Sequence, residues 1–145
     1  MAPYNKFYHP ARTPRGTGLY TNEDYIYMRV DEMVLLSAEM AAKEGMTTDA
    51  RNRLKSLLAL RFNNPADYAY VDTLTGQALE DEVYLQTRIE LWGEGKVYYA
   101  MKRNKKTITR GSNHLFLKGQ SFMYNADELT FEIPQSEVQN NLNIN

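Results

Sequence analysis

Hydrophobic residues recur along this chain at helical spacing in three places, separated by segments where the period is lost. Val30, Met33, Val34, Ser37, Ala38 and Ala41 fall three and four residues apart, as one face of a helix would require. Gly45 then supplies a left-handed stop. Ala50, Leu54, Leu57 and Leu58 form the stripe of a second helix, with Thr47 or Thr48 as its N-cap and Asp49 in its first turn. So short a separation predicts that the two helices fold back as a hairpin.

Asn63-Asn64-Pro65 ends the second helix, and Asn63 to Gln77 reads as a long loop holding Asp67, Tyr68, Tyr70 and Asp72. A third helix runs from about Ala78, acidic at its start through Glu80, Asp81 and Glu82, and basic at its end through Lys102, Arg103, Lys105 and Lys106. Its span is roughly 25 residues unless Gly93 and Gly95 break it. Each glycine costs about 1 kcal/mol against alanine inside a helix. Close approach of a neighbouring backbone is the expected reason for tolerating them.

Beyond Thr107 the helical period disappears. Leu115-Phe116-Leu117 and Phe122-Met123-Tyr124 flank Lys118 to Ser121 as a small hairpin, Leu129 to Ile133 reads as extended, and Pro134 opens a closing helical turn. Residues 1–23, carrying Pro3, Pro10, Pro14, Gly16 and Gly18, read as an extended lead-in arm, and Tyr25 to Met28 as a short strand-like stretch. The fold class expected is therefore mainly α: a helical hairpin, a long third helix, and a small extended element near the C-terminus.

Composition narrows the function. The 145 residues suffice for one core, and 17 basic against 18 acidic side chains give no global field that would draw nucleic acid. The basic run from Lys102 to Arg110 suits a helix C-terminus. Without cysteine, and with only His9 and His114, no metal site or nucleophile is indicated by spacing. No run approaches the roughly 18 apolar residues of a membrane span, and the opening residues lack the pattern of a signal segment. Gly93-Glu94-Gly95-Lys96 lies mid-helix, where a phosphate loop does not belong. Glu90 and Glu94, one turn apart, could do acid and base work, but Arg88 and Lys96 beside them favour ion pairs. Trp92, amid Leu91, Tyr98 and Tyr99, is expected in the core, with Arg88 over its face.

Three stretches carry a likeness to a known family. Arg29, Glu32, Leu35 or Leu36, Ala38 and Glu39 resemble the helix pattern R-x-x-E-x-x-L-x-x-A-E-A. Arg88, Glu90, Leu91, Glu94 and Gly95 resemble E-R-x-x-E-L-x-x-E-G-x-R, and Ile133, Pro134 and Glu137 resemble I-P-x-x-E. In this order they resemble the C-terminal region of the SusD/RagB family of outer-membrane nutrient-binding lipoproteins. Thr87, Val97 and Ala100 depart from the family pattern.

The resemblance implies a tetratricopeptide-like helical domain over residues 24–145, a fragment of a longer protein. It also implies a surface-exposed, non-enzymatic role with no cofactor, capturing a glycan or a peptide for a SusC-like TonB-dependent transporter. Tyr68 and Tyr70 beside Asn63, Asn64 and Asp67 offer the mixture of ring faces and hydrogen-bonding groups that a sugar needs. The competing expectation for the tyrosines is that their rings tuck onto the helices. A scaffold without a ligand site of its own is the alternative function, and a glycan-processing enzyme using Glu90 or Glu94 a remote third.

Overall fold

A computed structural model describes residues 27–141. The chain divides after Val30, and the described elements from Asp31 onward form one unit. The lead-in arm, His9 and the start of the Tyr25–Met28 stretch lie outside the described residues, while Tyr27 and Met28 are exposed and irregular.

Among the described residues there are five α-helices: α1 Val30–Lys43, α2 Thr47–Leu58, α3 Gly76–Glu90, α4 Lys96–Arg103 and α5 Gln135–Asn140. A 3-10 helix covers Pro65–Thr73, and β1 Ile108–Thr109 pairs antiparallel with β2 Ser121–Phe122. The mainly helical architecture with one small hairpin is the expected one.

Ion pairs fix the directions of the helices. Arg61, just beyond α2, reaches Asp31 at the start of α1 at 2.9 Å and Glu90 at the end of α3 at 2.9 Å. The end of α2 therefore meets the start of α1 and the end of α3. Lys96 pairs with Glu32 and Arg103 with Glu39. Both partners advance seven residues, two turns, from one pair to the next, so α4 runs parallel to α1.

The expected loop 63–77 is the chain's way back. Lys55 holds Asp72 and Arg51 Nε donates to the Leu74 carbonyl at 2.8 Å, so the 3-10 helix climbs as α2 descends. Nine residues at about 2 Å rise cover about 18 Å, the length of twelve α-helical residues at about 1.5 Å. A tighter, longer-pitched helix returns the chain along α2 with three fewer residues. Asn64 caps it, its Oδ1 accepting from Ala66 N at 3.1 Å, and Pro65 fits its first turn. Period three, not 3.6, explains why it read as loop: Tyr68, Val71 and Leu74 face the core, and Val71 is fully buried.

The core joins Leu35, Ala38, Ala41 and Ala42 of α1 to Ala50, Leu54, Leu57 and Leu58 of α2 and Leu79 and Val83 of α3. All four predicted positions of α2 are buried. On α1 the face is rotated: Val30 and Met33 are exposed, and Leu35 and Glu39 go inside. The α2 cap also differs. Met46 holds the cap position without a side-chain hydrogen bond, so neither Thr47 nor Thr48 serves.

Gly45 closes α1 in a left-handed turn, with Met46 N donating to Ala41 O at 2.9 Å and Gly45 N to Ala42 O at 3.1 Å. The same pair of bonds ends α4, Lys106 N to Met101 O at 3.1 Å and Lys105 N to Lys102 O at 3.2 Å, but there Lys105 takes the left-handed position at φ 50°. For a residue with a Cβ that conformation costs about 1–2 kcal/mol.

The third helix does break. Gly93 and Gly95 both adopt φ 76°, and Gly95 is the N-cap of α4. Nothing lies within 4 Å of the space a Gly95 Cβ would occupy, so no backbone packs there and the close-approach expectation fails at Gly95. The pair reverses the chain between α3 and α4.

The C-terminal hairpin also differs in its first strand. Ile108–Thr109, not Leu115–Leu117, pairs with the second, because Arg110 N donates to Gln120 O and Gly119 N to Arg110 O, both at 2.9 Å. Leu115 to Leu117 form an exposed loop between the strands. Of the expected extended segment Leu129 to Ile133, Leu129 closes the 3-10 turn Asp127–Leu129, Thr130 is extended, and 131–133 pair with no strand among the described residues; Pro134 is the N-cap of α5.

Gly95→Ala is expected to destabilise by about 1 kcal/mol through backbone strain alone, and Gly95→Asn by less, since asparagine tolerates the left-handed region. Urea unfolding of the two variants checks this. A loss several times larger in both would restore the packing explanation.

Candidate functional site

In a 3-10 helix residues three apart are stacked, so one edge carries Asn64, Asp67, Tyr70 and Thr73 and another Tyr68, Val71 and Leu74. The two tyrosines singled out in the sequence are thereby separated. Tyr68 packs against the core and lies 6.4 Å from the Phe62 ring at a 45° tilt. Tyr70 is half-exposed on the outer edge, and its hydroxyl donates to Glu82 Oε1 at 2.6 Å. Burial first, then the Glu82 carboxylate, pushes that hydroxyl up to about 12, so it stays a donor. Gln86 Nε2 donates to the same Glu82 oxygen at 2.8 Å, and Thr73 Oγ1 to Tyr70 O at 2.8 Å.

Asn64 is committed to its cap. Asn63 and Asp67 are exposed, and among the described residues their side chains have no hydrogen-bond partner. The edge thus offers a held tyrosine ring with the Asp67 carboxylate one turn before it, and the Asn63 amide stands just ahead of the 3-10 helix. That combination can stack on an apolar ring face and accept or donate to hydroxyls.

A second aromatic group was not foreseen. Trp92 is 51 % exposed rather than in the core, and Arg88 lies 5.8 Å over Tyr84 instead. Tyr98 sits edge-on to Tyr99 and to Phe131, each at 5.5 Å, with its hydroxyl pinned to Leu129 O at 2.6 Å. Tyr99 and Phe131 are 66 % and 84 % exposed. The break after α3 is the cause: it turns Trp92 and the first turn of α4 away from the stripe that a continuous helix would have buried.

The motif glutamates form ion pairs across the bundle. Glu90 accepts from Arg61 Nε and Nη2, each at 2.9 Å, and Lys96 pairs with Glu32, so Glu90 is in an ion pair as expected but with Arg61 rather than Arg88 or Lys96. Glu39, only 3 % exposed, accepts from Arg103 Nε at 2.7 Å, Arg103 Nη2 at 2.9 Å and Lys43 at 2.9 Å. Burial pulls the Glu39 carboxyl upward, but the bonds from Arg103 and Lys43 and the Arg103 charge outweigh it and hold it down at about 2. Arg103 is raised in turn, chiefly by its bonds to Glu39. Glu94 is buried, Arg29 half-buried and Arg88 exposed. Ile133 is exposed, and Glu137 in α5 accepts from Asn141 at 2.7 Å.

A cavity of about 90 Å3 between α1, α3 and α4, lined by Leu35, Leu91 and Ala100 among others, has room for roughly three waters. At the far end of the bundle, where α1 and α4 end and α3 begins, lies an open polar cleft of about 470 Å3 lined by Lys43, Gln77, Glu80, Asp81, Arg103, Asn104, Lys105 and Lys106. Among the described residues no group of three or more His, Cys, Asp and Glu could hold a metal ion, and no helix is long and apolar enough to cross a membrane.

The model of the SusD family matches this chain over residues 1–145, and the chain belongs to that family. No curated protein and no solved structure matches it.

Glu39 makes stability depend on pH. Its folded value of about 2 lies below the ordinary 4.5, so its contribution is complete above pH 4.5 and is lost as pH falls to about 2. Glu39→Gln is expected to cost about 2–3 kcal/mol at pH 7. Thermal unfolding of both proteins should show that gap closing between pH 4.5 and about 2.

Proposed function

We propose that this member of the SusD family is a nutrient-binding component of an outer-membrane uptake system. In this reading it holds a glycan or a peptide at the cell surface for a SusC-like TonB-dependent transporter and catalyses nothing. The family match over the whole chain carries the proposal. The ligand-facing residues are Tyr70, Asp67 and Asn63, with Asn64 holding the start of the edge as its cap and Tyr68 anchoring the segment to the core. Supporting this, Tyr70 is held from two sides, through its hydroxyl and through its carbonyl, while part of its ring stays open to solvent. A ring fixed before the ligand arrives loses little freedom on binding.

A scaffold that contacts the transporter and no nutrient is the second reading. One observation favours it: Leu115, Phe116 and Leu117 are exposed by 86 %, 73 % and 52 % in a single loop, an apolar surface suited to a protein partner.

Isothermal titration of the folded protein against bacterial and host oligosaccharides and short peptides separates the two. Binding that Tyr70→Ala weakens about tenfold supports nutrient capture, since a central aromatic contact is worth more than about 1 kcal/mol. Silence across the panel leaves the scaffold. Release of reducing sugar during the titration, abolished by Glu90→Gln or Glu94→Gln, would overturn both.

A further inference from the structure

We propose that the cleft at the far end of the bundle binds a carboxylate flanked by hydrogen-bond donors, with Lys105 as the cation that receives it and Glu80 as the acceptor for the donors. The site is separate from the Tyr70 edge and does not depend on what that edge binds.

The charges of the cleft decide the class of ligand. Four cations, Lys43, Arg103, Lys105 and Lys106, face two carboxylates, Glu80 and Asp81. Lys43 and Arg103 are committed to Glu39 behind the wall, and Lys106 to Asp81, which it holds below the ordinary carboxylate range. Among the described residues Lys105 and Glu80 have no partner. One free ammonium matches one negative charge. A dianionic phosphate would leave a charge in excess beside Glu80, whereas a carboxylate bearing hydroxyl or amide donors satisfies both groups. A uronic sugar and a peptide C-terminus both have this chemistry.

The backbone gives a second, independent argument. The ends of α1 and α4 make the same two hydrogen bonds, yet one has glycine at the left-handed position and the other Lys105 at φ 50°. Gly45 shows what the turn itself prefers. Lysine there costs local stability, and strained positions of this kind gather where a side chain is wanted for binding. Lys105 lines the cleft wall beside Asn104 and Lys106.

The two arguments share a test, because replacing Lys105 by glycine should move stability and binding in opposite directions. Nuclear magnetic resonance titration of the folded protein with glucuronate, alanyl-alanine and glucose reads the binding, and thermal unfolding reads the stability. Wild type is expected to bind glucuronate, alanyl-alanine or both, with shifts at Asn104 and Lys106, and not glucose. Binding of only one carboxylate identifies the source as sugar acid or peptide end. Lys105→Gly should raise Tm by a few degrees while weakening the carboxylate about tenfold. Lys105→Asn should weaken it equally, and Lys118→Ala should leave it unchanged. No binding of either carboxylate, glucose bound as well as glucuronate, or affinity unaltered in Lys105→Gly would each overturn the proposal.

Discussion

The arrangement of this bundle depends on a buried carboxylate. Glu39 sits on α1 among alanines and leucines, and it is ionised because Arg103 and Lys43 converge on it. An unpaired charge at that depth would cost several kcal/mol. The pairing therefore tolerates only geometries that bring the last turn of α4 beside the last two turns of α1. Glu32 and Lys96 repeat the contact two turns earlier, and the two pairs together leave α4 no direction but parallel to α1. The glycine turn after α3 follows from this, because the chain must reverse before α4 can lie in that direction.

The same demand for reversal shapes the opposite wall. After α2 the chain has to travel back along it to begin α3, and a 3-10 helix covers the distance with few residues. Its three-residue period sorts side chains onto edges, sending Tyr68 and Val71 inward and Asp67 and Tyr70 outward. The candidate ligand edge is thus a by-product of the return path: one edge anchors the segment in the core, which leaves the other rigid and open. The polar cleft has a comparable origin, since three helix ends meet there and the cations that stabilise those ends collect at one place.

Function and stability pull apart at Lys105 and agree at Gly45. The two helix ends differ by a side chain that the turn disfavours, and the cleft is where that side chain lies. The aromatics Tyr99 and Phe131 raise the same tension in apolar form, since each keeps a large ring mostly exposed.

Much of this was written in the sequence. The stripe of α2, the stop at Gly45, the turn at Asn64-Pro65 and the basic end of α4 could be read directly, because each is set by residues within a turn or two of one another. The three motifs of the SusD family were equally legible as strings, though not what they do. The tertiary structure alone decided that Glu39 is inside and Val30 outside, that Gly93 and Gly95 both take left-handed backbone and reverse the chain, with no neighbour at Gly95, and that β1 is Ile108–Thr109. It also decided that Tyr68 and Tyr70 face opposite ways. In each case the outcome hangs on a partner far along the chain, Arg103 for Glu39, Gln120 for Arg110, and the core cluster for Val71. Local periodicity carries no information about which distant group will arrive to offset the cost of burying a charge, breaking a helix or leaving a ring in water.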